Sequence, residues 1–292
     1  GIILEGNLTT DIVKCCNTFY PNIPHQFCQY HFLRNTWNHL ECLDSTIFLP
    51  LKKTLNGLRI HTRSQSVKIH FENKGKFSVR EVFAGMDRDF QVMTKARNKT
   101  FKHLRGLWLY ETLQSTCKEM RKHEAEMNPQ FRFSKIFSKT LATITAALAK
   151  LSQAFSEVTL LNEKFTDIRK EFEDPTRQWL DQQVSLDTIY KGIWQLAVSV
   201  GNDPDLSKLR SFLPSKSRRY AEILGEWCRL WESYRPGLFQ YRYFPKPIKT
   251  NNGCENGFSQ EKQKLIRRAG KMKVGHLIGT RGEAYLRITH CS

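Results

Sequence analysis

Between Leu141 and Phe172 apolar side chains return at steps of three and four: Leu141, Ile144, Leu148, Leu151, Phe155, Val158, Leu161, Phe165, Ile168 and Phe172. That period sets them along one stripe of an α-helix, whereas a strand, alternating every two residues, would scatter them over both faces. Pro175 closes the run, since a proline has no N–H to give and disfavours the helical conformation of the residue before it. The spacing predicts one long amphipathic helix with a heptad-like seam. Two readings of the seam stand: a coiled coil that makes a homodimer, or a long helix packed within its own helical domain. One step breaks the heptad phase, which favours the second. The same helical patterning extends from about residue 32 to about residue 240.

A chain of 292 residues, 40% of them hydrophobic, can bury a sizeable core and has more length than one domain usually needs. Lys and Arg outnumber Asp and Glu by 46 to 28, a net charge of +18 that no single tail accounts for. Such an excess implies a polyanionic partner, with nucleic acid first and an anionic lipid surface a poor second. No run of 18 uncharged apolar residues suggests a membrane span. Eight scattered cysteines, with no secretory signal before them, fit reduced intracellular thiols better than a disulfide framework.

The opening GIIL is an apolar, β-branched run that looks like a strand already under way, so a segment carrying its sheet neighbours is expected upstream. Thr9 or Thr10 can cap a helix with Ile12, Val13, Cys16 and Phe19 on one face, and Pro21 and Pro24 end it. HQFCQYH, residues 25 to 31, then reads as a short strand, which completes a β-α-β unit and implies a parallel pair. Cys28, His31, His39 and Cys42 form C-x2-H-x7-H-x2-C, a zinc-like spacing. The intervening FLRNTWN looks helical and leaves little room to fold two ligand pairs around one ion. Zinc is therefore the weaker reading, and a buried strand bearing Cys28 and His31 the stronger.

Near the other end, TNNG at 250 to 253 is turn-prone and a helix is expected from about Cys254. Its carboxylate, Glu255, falls in the first turn, where the helix dipole favours negative charge. Lys262, Lys264, Arg267, Arg268 and Lys271 make the rest of that helix a basic track for phosphates.

The run FYPNIPHQFCQYHFLRN, the TNNxxExxF arrangement from Thr250 to Phe258, and KxxRRxGK at 264 to 271 together resemble the DDE-type transposases of insertion sequences, in particular the Mutator-like group and its relatives. The resemblance implies an α/β fold, a partial RNase H-like core interrupted by a large all-helical insertion. Residues 1–40 would be the first visible part of the core, 41–244 the insertion, and 245–292 the helices that carry the last catalytic acid. It implies DNA transposition through phosphodiester cleavage and strand transfer, with Mg²⁺ or Mn²⁺ stabilising the attacking and leaving oxygens. Double-stranded DNA, as element ends and target, would be the partner, in the cytoplasm at the nucleoid. Glu255 matches the family's third acid, and Asn251 and Asn252 its Asn-rich turn. Cys28, His31, Arg34 and Asn35 match the motif that lines the cleft. Glu5 stands where the second Asp belongs, and the first Asp would lie upstream, so as given the chain is expected to lack a working two-metal site. Asp11 and Asp44 are not natural substitutes.

A different class of reading comes from Ile278, Gly279 and Gly282, whose I-G-x-x-G looks like the phosphate-clamping loop of KH RNA-binding domains. It would make the chain a nucleic-acid-binding module without catalysis.

Overall fold

The computed structural model describes residues 4–6, 25–72, 77–126, 132–173, 178–200 and 215–240. Two short strands, β1 (Leu4–Gly6) and β2 (His25–Phe27), precede six helices: α1 (Gln29–Glu72), α2 (Phe77–Thr94), α3 (Arg105–Glu126), α4 (Arg132–Glu173), α5 (Trp179–Ser199) and α6 (Ser215–Tyr234). The strands pair in parallel, with Leu4 opposite His25, Glu5 opposite Gln26 and Gly6 opposite Phe27.

This overturns the expected α/β class. An RNase H-like core packs helices against a broad sheet, but among the described residues the sheet is two strands of three residues each, and the buried apolar surface is helix on helix. The strand expected over 25 to 31 also stops early. It ends at Phe27, and the Cys28 carbonyl accepts the Phe32 N–H at 3.1 Å, the bond that opens α1. Aromatic and β-branched side chains favour strands only where the pleated surface suits them. Here Phe32, Leu33, Trp37 and Leu40 are buried at helical spacing, and that period prevails over the short alternation before it. The expected helix at Thr9 to Phe19 and the one from Cys254 both lie outside the described residues.

Two compact units divide the chain: residues 1–35, 170–191 and 227–292, and residues 36–169 and 192–226. In the second unit, α1 runs through Pro50. An internal proline costs a helix about 3 kcal/mol. Ile47, Phe48, Leu51 and Leu55 flank it fully buried, and burial of each contributes about 1.5–3 kcal/mol, so packing outweighs the missing bond. The α4 stripe behaves similarly: Leu141, Ile144, Leu148, Val158, Leu161, Phe165 and Ile168 are buried within the chain itself, so the seam is core rather than an open dimer face. Tyr110 stacks on Phe155 at 4.1 Å and donates to the Leu148 carbonyl at 3.1 Å, which fixes α3 against α4.

One carboxylate sets the start of α3. Asp44, on α1, has no exposed surface and accepts the Gly106 N–H at 2.8 Å and the Leu107 N–H at 2.9 Å, two donors that a helix start leaves without a helical partner. The approach is so close that a Cβ on Gly106 would lie 2.4 Å from the Asp44 carbonyl oxygen and 2.5 Å from Oδ1. Burial pushes the Asp44 carboxyl up to about 6, against the two backbone N–H groups and the nearby Arg105. Its folded value therefore exceeds its ordinary one of 3.8, so its contribution to stability is largest below about pH 4 and declines as pH rises towards 6.

Urea denaturation checks both features. Gly106→Ala should lose about 1–3 kcal/mol by overpacking, whereas Gly57→Ala, inside α1 with nothing within 4 Å of an added Cβ, should gain up to about 1 kcal/mol. Asp44→Asn should be less stable, since its amide turns a donor towards a backbone donor. The gap between it and the native chain should be wider at pH 4.5 than at pH 7, and a gap independent of pH would show the carboxyl to titrate normally.

Candidate functional site

The motif from Cys28 to Asn35 lies in the first unit and is clamped by residues 227 to 240. The Phe27 N–H donates to the Gly237 carbonyl at 2.9 Å, and Gln29 Nε2 to the Leu238 carbonyl at 3.3 Å. Asn35 Nδ2 donates to the Tyr234 hydroxyl at 2.9 Å. The turn that makes these bonds possible is Arg235–Pro236–Gly237. A Cβ on Gly237 would sit 2.4 Å from Cδ2 of Phe27, so only glycine lets the chain pass that ring.

Phe32 is the hub, with no exposed surface. Its ring lies 5.8 Å from Phe172, 6.2 Å from Tyr190, 6.0 Å from Trp231 and 5.5 Å from Tyr234, all in tilted or edge-on contact. Tyr190 and Trp231 stack at 4.9 Å, and Phe172 stacks on Phe239 at 6.4 Å. Aromatic pairs of this kind contribute about 0.5–1.5 kcal/mol each beyond the area they bury. Asp187 completes the frame by accepting from Trp231 Nε1 at 3.2 Å and from Arg235 at 2.9 Å. At the end of α4, the Glu171 carboxylate accepts from Ser185 at 2.8 Å and its carbonyl from Gln182 at 2.8 Å.

Within this frame Cys28 is a buried free thiol between β2 and α1, and His31 and Arg34 are half-buried on the first turns of the helix. Neither Cys28 nor His31 is on a strand, which corrects the sequence expectation. Glu5 stands in β1 opposite Gln26, two residues before Cys28, so the parallel pair joins the expected acid to the Cys-x-x-His turn. Glu255, Asn251, Asn252, Lys262, Lys264, Arg267, Arg268 and Lys271 all lie outside the described residues. Among the described residues no three His, Cys, Asp or Glu side chains converge as a metal site. Asp44 is committed to the start of α3, and Cys42 is exposed and accepts from Arg219 at 3.1 Å.

The positioning residues Gln29, Phe32, Tyr234, Gly237 and Asp187 carry no functional signal in the sequence. Arg235–Pro236–Gly237 signals a turn, but nothing local ties it to a motif 209 residues away. Burial raises the Tyr234 phenol above its ordinary value, with the Asn35 bond opposing, so the hydroxyl stays neutral and acts as acceptor. A cleft of about 270 Å³, lined by Gln183, Arg235, Pro236, Phe239 and Gln240, opens beside the turn. The Arg235 guanidinium is tied to Asp187, which leaves amides as the main polar groups of the cleft.

No family model, curated protein or solved structure matches the chain. Among the described residues no helix is long and apolar enough to cross a membrane.

The clamp can be tested by denaturation. Tyr234→Phe removes the acceptor of Asn35 and should cost about 1 kcal/mol, and Gly237→Ala should cost about 1–3 kcal/mol through the Phe27 clash. An unchanged midpoint for Gly237→Ala would mean that the ring moves aside freely.

Proposed function

We propose that this chain acts on double-stranded DNA as part of a DDE-type insertion-sequence transposase of the Mutator-like group. The observation that carries the reading is the clamp. Two blocks resemble that family, about residues 1 to 40 and 245 to 292, and the chain between them leaves at Phe27 to Asn35 and returns at Tyr234 to Leu238 to the same place. Two blocks so far apart in sequence can serve one site only if the chain makes such a return. The net charge of +18 supports a phosphate-rich ligand, which would bring the chain to the nucleoid in the cytoplasm.

In this reading Glu5 and Glu255 are the acids, and Lys262, Lys264, Arg267, Arg268 and Lys271 hold the DNA backbone. Mg²⁺ or Mn²⁺, when bound, would stabilise the attacking and leaving oxygens of a phosphodiester displacement. Cys28 and His31 order the turn that follows β2, the strand paired with the acid-bearing one, and Asn35 anchors it through Tyr234. Glu5 is one methylene longer than the Asp of the motif, so strand transfer should be weak or absent in the native chain.

The test is binding of a labelled duplex from about 50 to 200 mM salt, the range over which phosphate neutralisation shows as counterion release. The native chain should bind duplex, with affinity falling linearly on logarithmic axes as salt rises. Replacing Arg267 and Arg268 by Gln should flatten the slope by about one to two units. Tighter binding to a single-stranded RNA than to duplex DNA would instead favour the KH-like reading.

A further inference from the structure

We infer that the loop from Lys95 to His103, in the second compact unit, is a separate docking point for the phosphate backbone of duplex DNA. The inference rests on the duplex ligand of the proposed function but uses none of the residues assigned to it. Between Asp89 and Glu111 there is no carboxylate, while Lys95, Arg97, Lys99, Lys102 and Arg105 follow one another within eleven residues. Lys95, Arg97, Lys99 and Lys102 are exposed. Among the described residues no carboxylate pairs with their cationic groups.

Solvated lysines are ordinary, and on α3 one is compensated: Lys122 pairs with Glu119 at 2.8 Å. Two things set the loop apart. The first is uncompensated charge of one sign, which concentrates a positive potential and attracts a polyanion. The second is a fixed shape. The Lys99 N–H donates to the His103 carbonyl and the His103 N–H to the Lys99 carbonyl, each at 2.9 Å, and the Lys102 N–H donates to the Lys99 carbonyl at 2.9 Å.

Phe101 at the tip has a φ of 61°, a left-handed conformation that a bulky residue rarely holds unless its surroundings impose it. Its ring packs edge-on against Trp37 at 6.0 Å and lies 5.7 Å from Phe165, and Arg169 donates to its carbonyl. Asn98 Oδ1 accepts the Arg105 N–H at 2.9 Å and ties the loop to the start of α3. The ring is anchored inward and the lysines beside it project outward. A loop ordered before binding avoids most of the entropy loss that a flexible basic segment would suffer on a backbone. Arg105 is turned inward, its guanidinium 4.3 Å from the Phe48 ring centroid, and takes no part.

The test compares salt slopes for duplex binding in four proteins: the native chain, Lys99→Gln with Lys102→Gln, Lys99→Arg with Lys102→Arg, and a control pair on α4, Lys139→Gln with Lys150→Gln. Circular dichroism and urea midpoints check that each is folded. The loop Gln pair should lower the slope by about two units, near 0.9 for each phosphate no longer neutralised, while the Arg pair and the control keep the native slope. A native slope in the loop Gln pair, or an equal fall in the control, overturns the loop and leaves the proposed function standing. A native chain that binds no duplex at low salt overturns both.

Discussion

A carboxylate with no exposed surface organises the second unit. Asp44 takes two N–H groups that the first turn of α3 cannot satisfy for itself, and leaving such donors dry and unpaired would cost about 1–3 kcal/mol each. By doing so it fixes where α3 begins, and hence where the preceding loop must end. Asn98 then closes on the Arg105 N–H, Phe101 drops against Trp37 and Phe165, and Lys99 and Lys102 are left facing water. The order of dependence runs from buried charge to helix start to loop shape. Gly106 makes the first step possible, because any side chain there would occupy the space of the Asp44 carboxylate.

The first unit uses aromatic packing for the same purpose. Phe32 gathers Phe172, Tyr190, Trp231 and Tyr234, residues that are far apart in sequence, and three hydrogen bonds from Phe27, Gln29 and Asn35 set their register against the turn at Gly237. The rings supply most of the attraction, which has no preferred direction along the chain. The hydrogen bonds supply the direction. A clamp built in this way can hold segments far apart in sequence with few polar groups.

What could be read in the sequence and what could not divide along the range of the interactions. The α4 helix is legible because its stripe from Leu141 to Ile168 is a local period that needs no knowledge of partners. The helical run FLRNTWN is legible for the same reason. The stretch from 25 to 31 reads as a strand because Phe27 and Tyr30 have strand propensity, while the decisive fact, burial of Phe32, Trp37 and Leu40 on one helical face, belongs to the folded core. The α/β class follows from the motif resemblance rather than from periodicity, and the described helices correct it. Spacing singles out Cys28 and His31 and the family resemblance adds Arg34 and Asn35, but Tyr234 lies 199 residues beyond Asn35 and has no local signal. Asp44 reads as an acid without a site, and its role as a helix cap depends on a segment 62 residues later.

The same division explains why charge is a more durable guide to a ligand than pattern is to class. Fold class depends on how apolar faces meet, which neither a short motif nor a local period shows. Net charge depends on composition alone, and its sign survives any rearrangement of elements. What composition lacks is position: an excess of eighteen positive charges spread evenly would attract a polyanion without orienting it. Orientation requires that some of those charges be held on rigid backbone, as the bonded pair Lys99 and His103 and the half-buried anchor Phe101 hold the lysines of the loop. Buried Asp44, inward-turned Arg105 and outward-facing Lys102 are neighbours in sequence or in space, yet only the last is available to a ligand, and that distinction is set by packing rather than by charge.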